Sequence, residues 1–245
     1  MRFIQSLHSW FKNKTIILLI TFNSFFLNSI AYASYNIDKV RITLSSQQLI
    51  DTVKLSNVAR DMPVDLQIQV FRWTQNNGND VYQNTKDLII APPQLKIPIG
   101  KSQLVRVGWR NPMPLTQELA YRMIITDLTP YTQPKNSVLI RLRINLPIFI
   151  EPSDPTLHMG WQLKKINGNQ IRVIATNTGN VHVEVTKLTL TNSNSEVIAS
   201  QPTQFYLLPN QSKEGVLTLN KSPGSSVTVT AETDGGTQKA TVNVL

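Results

Sequence analysis

The chain has 245 residues, no cysteine and a formal charge of +9, with 41% apolar and 16% charged residues. Without cysteine there is neither a disulfide framework nor a thiolate zinc site, and the composition excludes a disordered, collagen-like or coiled-coil chain. The charge invites a nucleic-acid reading, which the amino terminus corrects.

Arg2, Lys12 and Lys14 form a basic start with no acid before Asp38. Thr15 to Leu27 then reads TIILLITFNSFFL, and the chain reaches Ala31-Tyr32-Ala33, a small-x-small cleavage site. Asn23, Ser24 and Asn28 interrupt an apolar run that falls short of the roughly 20 residues a spanning helix needs. Residues 1–33 therefore read as an export signal cleaved near Ala33, which leaves 212 residues. Loss of the three amino-terminal cations lowers the charge to +6. Between Ser34 and Pro152 there are 14 basic and 9 acidic residues, against 7 and 6 from Ser153 to Leu245, so the surplus lies in the first half. No run of adjacent Lys and Arg carries interleaved aromatics, so no nucleic-acid partner is expected.

The first strand is predicted at Ile37–Leu44, with Val40, Ile42 and Leu44 toward a core and Lys39, Arg41 and Thr43 away from it. Alternation returns at Val64-Leu66-Ile68-Val70, before an Asn76-Asn77-Gly78 turn, and at Tyr121-Met123-Ile125, after turns at Pro92-Pro93 and Asn111-Pro112. From Ser137 the chain reads SVLIRLRINLPIFIEP. Two prolines within Glu151-Pro152-Ser153-Asp154-Pro155 then withdraw two backbone donors and mark a boundary. Beyond it come Val183-Val185 and Val227-Val229-Ala231, with turns at Asn167-Gly168 and Asp234-Gly235-Gly236. No amphipathic helix of three turns follows Ala33. The chain is predicted to be all-β, with one immunoglobulin-like β-sandwich over 34–152 and another over 153–245.

Little here supports catalysis. His158 and His182 are the only histidines after residue 33; no G-x-S-x-G elbow, metal-spaced cluster of His and carboxylates, or Gly-rich loop before a helix is present. His182 alternates with valines in Val181-His182-Val183 and reads as a solvent-facing strand residue. No enzyme activity, cofactor or metal is expected.

The segment from Ser137 is different. Val138, Ile140, Leu142, Ile144 and Leu146 fall on one face; Leu139, Arg141, Arg143 and Asn145 fall on the other. A ladder this long overhangs the core of a small sandwich, and an uncovered aliphatic edge is an aggregation hazard unless a partner uses it. Strand addition to another chain exploits both the edge and the alternating side chains. The first and last strands of a sandwich can lie side by side, which would bring Arg41 to the base of the ladder. A guanidinium there suits a carboxylate in a two-pronged pair.

With these pieces in place the sequence resembles periplasmic pilus-assembly chaperones of the PapD/FimC-like type, in particular the archaic, Csu-like, spore coat U-associated subgroup. The resemblance covers the chain after residue 33. Its carriers are Arg41 in KVRITLS, Trp73-Thr74-Gln75 with Gly78-Asn79-Asp80, Thr85-Lys86-Asp87-Leu88, Pro92-Pro93 and Gln103-Leu104-Val105-Arg106-Val107. They continue through Glu118-Leu119-Ala120-Tyr121-Arg122 and Pro147-Ile148-Phe149-Ile150-Glu151-Pro152 to Asn177-Thr178-Gly179-Asn180.

The resemblance implies two Ig-like domains set at an angle, boomerang-fashion, around a cleft for a pilus subunit. It implies a pilin-like partner with an incomplete Ig fold, delivery to an outer-membrane usher, a periplasmic location and self-association of the free protein. Val138, Ile140, Leu142, Ile144 and Leu146 match the donor-strand positions, and Arg41 matches the anchor for the subunit's terminal carboxylate. Where many members carry a second anchoring Lys, this chain has Pro147, with Lys39 as the substitute. Glu118 becomes an internal ion-pair partner, assigned to Arg106. A secreted Ig-like adhesin or structural pilus subunit is the alternative; it would need a donor extension ahead of the first strand, where this sequence leaves almost none.

Overall fold

Short runs of β-branched and aromatic residues with period two, each closed by Asn, Gly or Pro, leave the backbone nothing to form but strands. In a computed structural model that describes residues 34–59, 61–130 and 141–245, seventeen strands and no helix appear among the described residues. The predicted export signal lies outside them, as do Val138 and Ile140.

The first ten strands are β1 (Tyr35–Ile37), β2 (Ile42–Leu44), β3 (Ile50–Asn57), β4 (Val64–Asn76), β5 (Asn79–Asn84), β6 (Leu88–Ala91), β7 (Gln94–Ile97), β8 (Ser102–Trp109), β9 (Leu119–Asp127) and β10 (Arg143–Ile150). They make two sheets, ordered β1-β3-β8-β6 and β2-β10-β9-β4-β5, with β7 also on β4. Between the sheets lies one apolar core, in which Ile42, Leu44, Val53, Leu55, Leu66, Val105, Tyr121, Met123, Ile125 and Ile148 are wholly buried. At the Asn76-Asn77-Gly78 turn, Asn77 (φ 51°) and Gly78 (φ 75°) both take positive φ, the twist that a two-residue hairpin between β4 and β5 requires.

One expectation fails here. Ile37–Leu44 is not a continuous strand: β1 pairs with β3 in one sheet, while β2 pairs with β10 in the other. The chain crosses between sheets at residues 38–41, so alternation lapses and Val40, expected inside, is 87% exposed. Period two is informative only while a strand stays in one sheet.

The remaining strands are β11 (Met159–Lys165), β12 (Gln170–Asn177), β13 (Val183–Asn192), β14 (Val197–Leu207), β15 (Ser212–Thr218), β16 (Ser226–Thr233) and β17 (Gly236–Asn243). They form sheets β11-β12-β15 and β14-β13-β16-β17 around a second core that includes Leu163, Ile171, Val183, Val185, Leu190, Val227 and Val229. No sheet mixes strands from the two halves. They meet instead through a small apolar cluster of Trp73, Ala120, Phe149 and Leu208, flanked by Tyr206.

Polar contacts reinforce that junction. The Gln75 amide donates to the Tyr206 carbonyl (2.9 Å) and accepts from the Leu208 N–H (3.0 Å). Asn180, in the Asn177-Thr178-Gly179-Asn180 stretch, donates to the carbonyls of Thr116 (3.2 Å) and Asp154 (2.9 Å). Gly179 admits no side chain, since a Cβ there would sit 2.2 Å from the Thr156 carbonyl oxygen. The close approach of connector and second sandwich is therefore written into one glycine.

Candidate functional site

Strand β10 pairs with β9 along its whole length, from Arg143 opposite Thr126 to Ile150 opposite Leu119. On its other side β2 covers only Ile148, Phe149 and Ile150, in parallel. Among the described residues, therefore, the outer edge of Arg143–Pro147 has no strand beside it. Leu142, Ile144 and Leu146 share the core-facing side while Arg141, Arg143 and Asn145 are exposed, in agreement with the alternation. Cover thins along the ladder. Ile148 and Ile150 are wholly buried and Leu146 is 2% exposed, whereas Ile144 and Leu142 are only half-buried. Among the described residues, cover of the strand runs out toward the end where its edge is open.

Arg41 lies immediately before β2, next to the Ile42–Ile148 pair, and so beside the base of the ladder. It is already engaged: its Nη1 donates to Asp234 Oδ2 in the β16–β17 turn. The same carboxylate oxygen lies 3.2 Å from His182 Nε2, and His182 Nδ1 lies 2.8 Å from Glu118 Oε2. Glu118 Oε1 also accepts from the His182 backbone N–H (3.1 Å). The imidazole stacks on Phe149 at 3.5 Å with 6° between the rings.

This network corrects three sequence expectations. His182 is 7% exposed and does not face solvent, because the outer face of the second sandwich at that point is packed against the first half. Glu118 does join the halves, but through His182; Arg106 is exposed on β8, opposite Thr52 in the far sheet. Lys39 pairs with Asp51 of β3 rather than standing beside Arg41, since the sheet crossing separates the two cations. His182 Nδ1 faces Glu118, while Nε2 faces both Asp234 and, at 3.0 Å, Arg41 Nη1, so the Glu118–His182–Asp234–Arg41 arrangement ties the two halves together at the junction.

Burial pushes the Glu118 carboxyl up, only partly opposed by His182. At His182 burial works against the charged form, but hydrogen bonds and charge from Asp234 and Glu118 outweigh it, and the imidazole rises above its ordinary 6.5. Asp234 is pulled far below the carboxylate range, the cost of burial being exceeded by its contacts with His182, the Glu184 N–H and Arg41. Both members of the Glu118–His182 pair thus hold protons more tightly when folded. The His182 contribution is complete below pH 6.5 and fades as pH rises through its elevated folded value, while that of Asp234 fades on acidification below its ordinary 3.8. The melting difference between wild type and His182→Gln is therefore expected to be largest below pH 6.5 and to shrink as pH rises above it. A difference that does not change with pH above 6.5 would show that the imidazole is not protonated in the folded junction.

One cation of the junction escaped the sequence reading. Arg122 of β9 stands directly opposite Pro147 and is 8% exposed, with its guanidinium carbon 3.7 Å from the Trp73 ring centroid and 5.1 Å from that of Tyr206. The signal was present: Ala120, Arg122 and Ile124 form a second face on a strand whose first face is Tyr121, Met123 and Ile125. An Arg between Ala and Ile on a strand apolar on both sides marks a buried cation.

Fold and site together define a two-domain immunoglobulin-like β-sandwich protein with an incompletely covered edge strand beside an arginine-bearing junction. The chain belongs to the PapD family of pili and flagellar-assembly chaperones, whose N-terminal domain matches residues 34–155. Sequence comparison with curated proteins finds no match.

Solved structures share the fold. The CsuC–CsuE chaperone–tip subunit pre-assembly complex from archaic chaperone-usher Csu pili of Acinetobacter baumannii matches with a TM-score of 0.64 at 18% identity, over 87% of this chain and 100% of that one. The class 5 fimbriae chaperone CfaA follows at 0.60 and 15%, over 86% and 100%. The Salmonella enterica SafA pilin–SafB chaperone complex gives 0.55 and 16%, over 88% and 98%.

Proposed function

We propose that this protein is a periplasmic chaperone that stabilises pilin-like subunits by lending them β10, and that it delivers them to an outer-membrane usher. The observation that carries the reading is the open outer edge of Arg143–Pro147, joined to an aliphatic ladder whose cover thins from Leu146 through Ile144 to Leu142. A strand laid along that edge gains main-chain hydrogen bonds and covers the exposed part of those side chains. Val138 and Ile140 continue the ladder in the sequence. Arg41 fixes register by holding a carboxylate of the guest, a contact for which it must share or exchange Asp234. Membership of a pilus-chaperone family and an amino terminus with the pattern of an export signal support the same reading. In the absence of a subunit, the open edge is also the surface through which two copies of the free protein would pair.

The test is co-expression with exported pilin-like chains encoded beside it, followed by pull-down of the processed protein from the periplasm. A one-to-one complex is expected, in which the subunit is protected from proteolysis. Polymerisation of this chain by itself, with no subunit recovered, would identify it instead as a structural subunit.

A further inference from the structure

We propose that the second sandwich carries a ligand site of its own, a cavity between β14 and β15 that takes a small anionic amphiphile. The apolar ring or short chain of the ligand enters the cavity, and its carboxylate or sulfonate meets Lys213. The site lies on other strands than β10 and does not depend on the chaperone reading.

The cavity follows from what faces inward. Strands β14 and β15 each end their sheet, paired on one side only among the described residues, and the sandwich opens between them. Residues directly opposite in an antiparallel pair share a face. Lys213, Gly215 and Leu217 of β15 stand opposite Ala175, Val173 and Ile171 of β12, all three of which belong to the second core. The inward side of β15 therefore reads Lys-Gly-Leu, and Leu217 alone supplies an apolar side chain. At Gly215, whose φ lies outside the left-handed region, a Cβ would meet nothing within 4 Å. On β14, Gln201 and Phe205 stand opposite Leu188 and Val185, so a polar residue occupies an inward place there as well. The space left is a cavity of about 140 Å³, with Val173, Ala175, Leu188, Phe205 and Leu217 as apolar walls. Four of these five are buried beneath Gly215, which is itself exposed.

Volume and charge say what the cavity takes. An apolar space of about 150 Å³ holds a benzene-sized group, and ligand sites join such walls to a few convergent polar groups. Two ionisable residues border this one, Lys213 and Glu214. Glu214 stands opposite Ile174 on the outer face of β15, so only the cation is on the cavity side. Lys213 Nζ lies 5.7 Å from the Phe205 ring centroid, on the cavity wall, and makes a long contact of 3.5 Å with the Gly78 carbonyl. It has no carboxylate partner among the described residues, and an ammonium has three donors to place. A carboxylate at the mouth gains charge-assisted hydrogen bonds against a partly apolar surface, where they are stronger than in bulk water, and a second ammonium there is repelled.

The experiment titrates the processed protein with three probes of one shape, 3-phenylpropionate, 3-phenylpropan-1-ol and 3-phenylpropylamine, followed by amide chemical shifts. Saturable one-to-one binding is expected to move β12, β14 and β15, with the acid about tenfold or more tighter than the amine and the alcohol between them. Gly215→Val fills the space a Cβ meets empty. It is expected to weaken the acid about tenfold or more while raising the melting temperature by about 2–4 °C, as a strand glycine gains a β-branched side chain. Gly215→Ala carries the comparison if the Val variant is poorly folded, with a smaller loss in the same direction. Lys213→Gln is expected to erase the preference for acid over alcohol and to leave alcohol binding within about threefold. Equal binding by wild type and both Gly215 variants would overturn the inference, as would the absence of saturable binding by any probe. An acid preference that survives Lys213→Gln would place the anion elsewhere and overturn it equally.

Discussion

Ile144→Asp is expected to abolish subunit recovery while leaving the free protein folded. Ile144 is half-buried, on the part of β10 that has β9 on one side and nothing described on the other. Its exposed part is what a guest would cover, and full burial of such a side chain is worth about 1.5–3 kcal/mol. An aspartate loses that gain and must also be neutralised or desolvated inside an apolar groove, at a further cost of several kcal/mol. The combined penalty weakens capture by at least about a hundredfold. In the free chain the same carboxylate can turn toward water at the open edge, so the expected loss of melting temperature is small beside the loss of capture. Arg143→Gln, one residue away on the opposite face, is the control, with recovery expected to stay within about threefold of wild type. Were the two variants to behave alike in pull-down, the aliphatic face of β10 would not be the donor surface.

The contrast between these neighbours is what the sequence makes legible: period two assigns Leu142, Ile144 and Leu146 to one face and Arg141, Arg143 and Asn145 to the other without knowledge of the fold. The same rule misplaced Val40, because a strand that changes sheets keeps its apolar spacing while its backbone turns. It also misjudged His182 for a different reason. Alternation says which residues share a face but not whether another sandwich covers that face, and His182 is buried by Phe149 of the other half, 33 residues earlier in the chain. Glu118 was read as the internal ion-pair partner of Arg106, but its carboxylate faces His182. Arg106 was the available cation in the first half, whereas the true partner lies across the junction at a sequence separation of 64. Long-range pairing between halves leaves no local trace in a chain, and that is why the aliphatic face of β10 was readable and the junction was not.

Glu118→Ala is expected to be the most destabilising substitution in the junction. The carboxylate is 3% exposed and makes two bonds to one residue, accepting from both the ring and the backbone N–H of His182. Its removal strands two buried donors and leaves the imidazole only its Nε2 contacts with Asp234 and Arg41. Breaking a buried pair on one side costs about 3–5 kcal/mol, since the surviving partner keeps its desolvation penalty. For a chain of this size that corresponds to a fall in melting temperature of roughly 6–20 °C. Glu118→Gln retains an acceptor for the backbone N–H and is expected to cost about 1–2 kcal/mol, the scale of a hydrogen bond weakened rather than lost. The shape of the transition carries further information. Trp73, Ala120, Phe149 and Leu208 form a small contact, so the Glu118–His182–Asp234–Arg41 chain of charges supplies much of what makes one half sense the other. The wild-type protein is expected to melt in one transition, and calorimetry of Glu118→Ala is expected to show two, one for each sandwich. A lone transition at the wild-type temperature would mean that the apolar contact and the Gln75 and Asn180 hydrogen bonds couple the halves without the buried ions, which then contribute no net stability. In that case His182→Gln would also be silent at every pH.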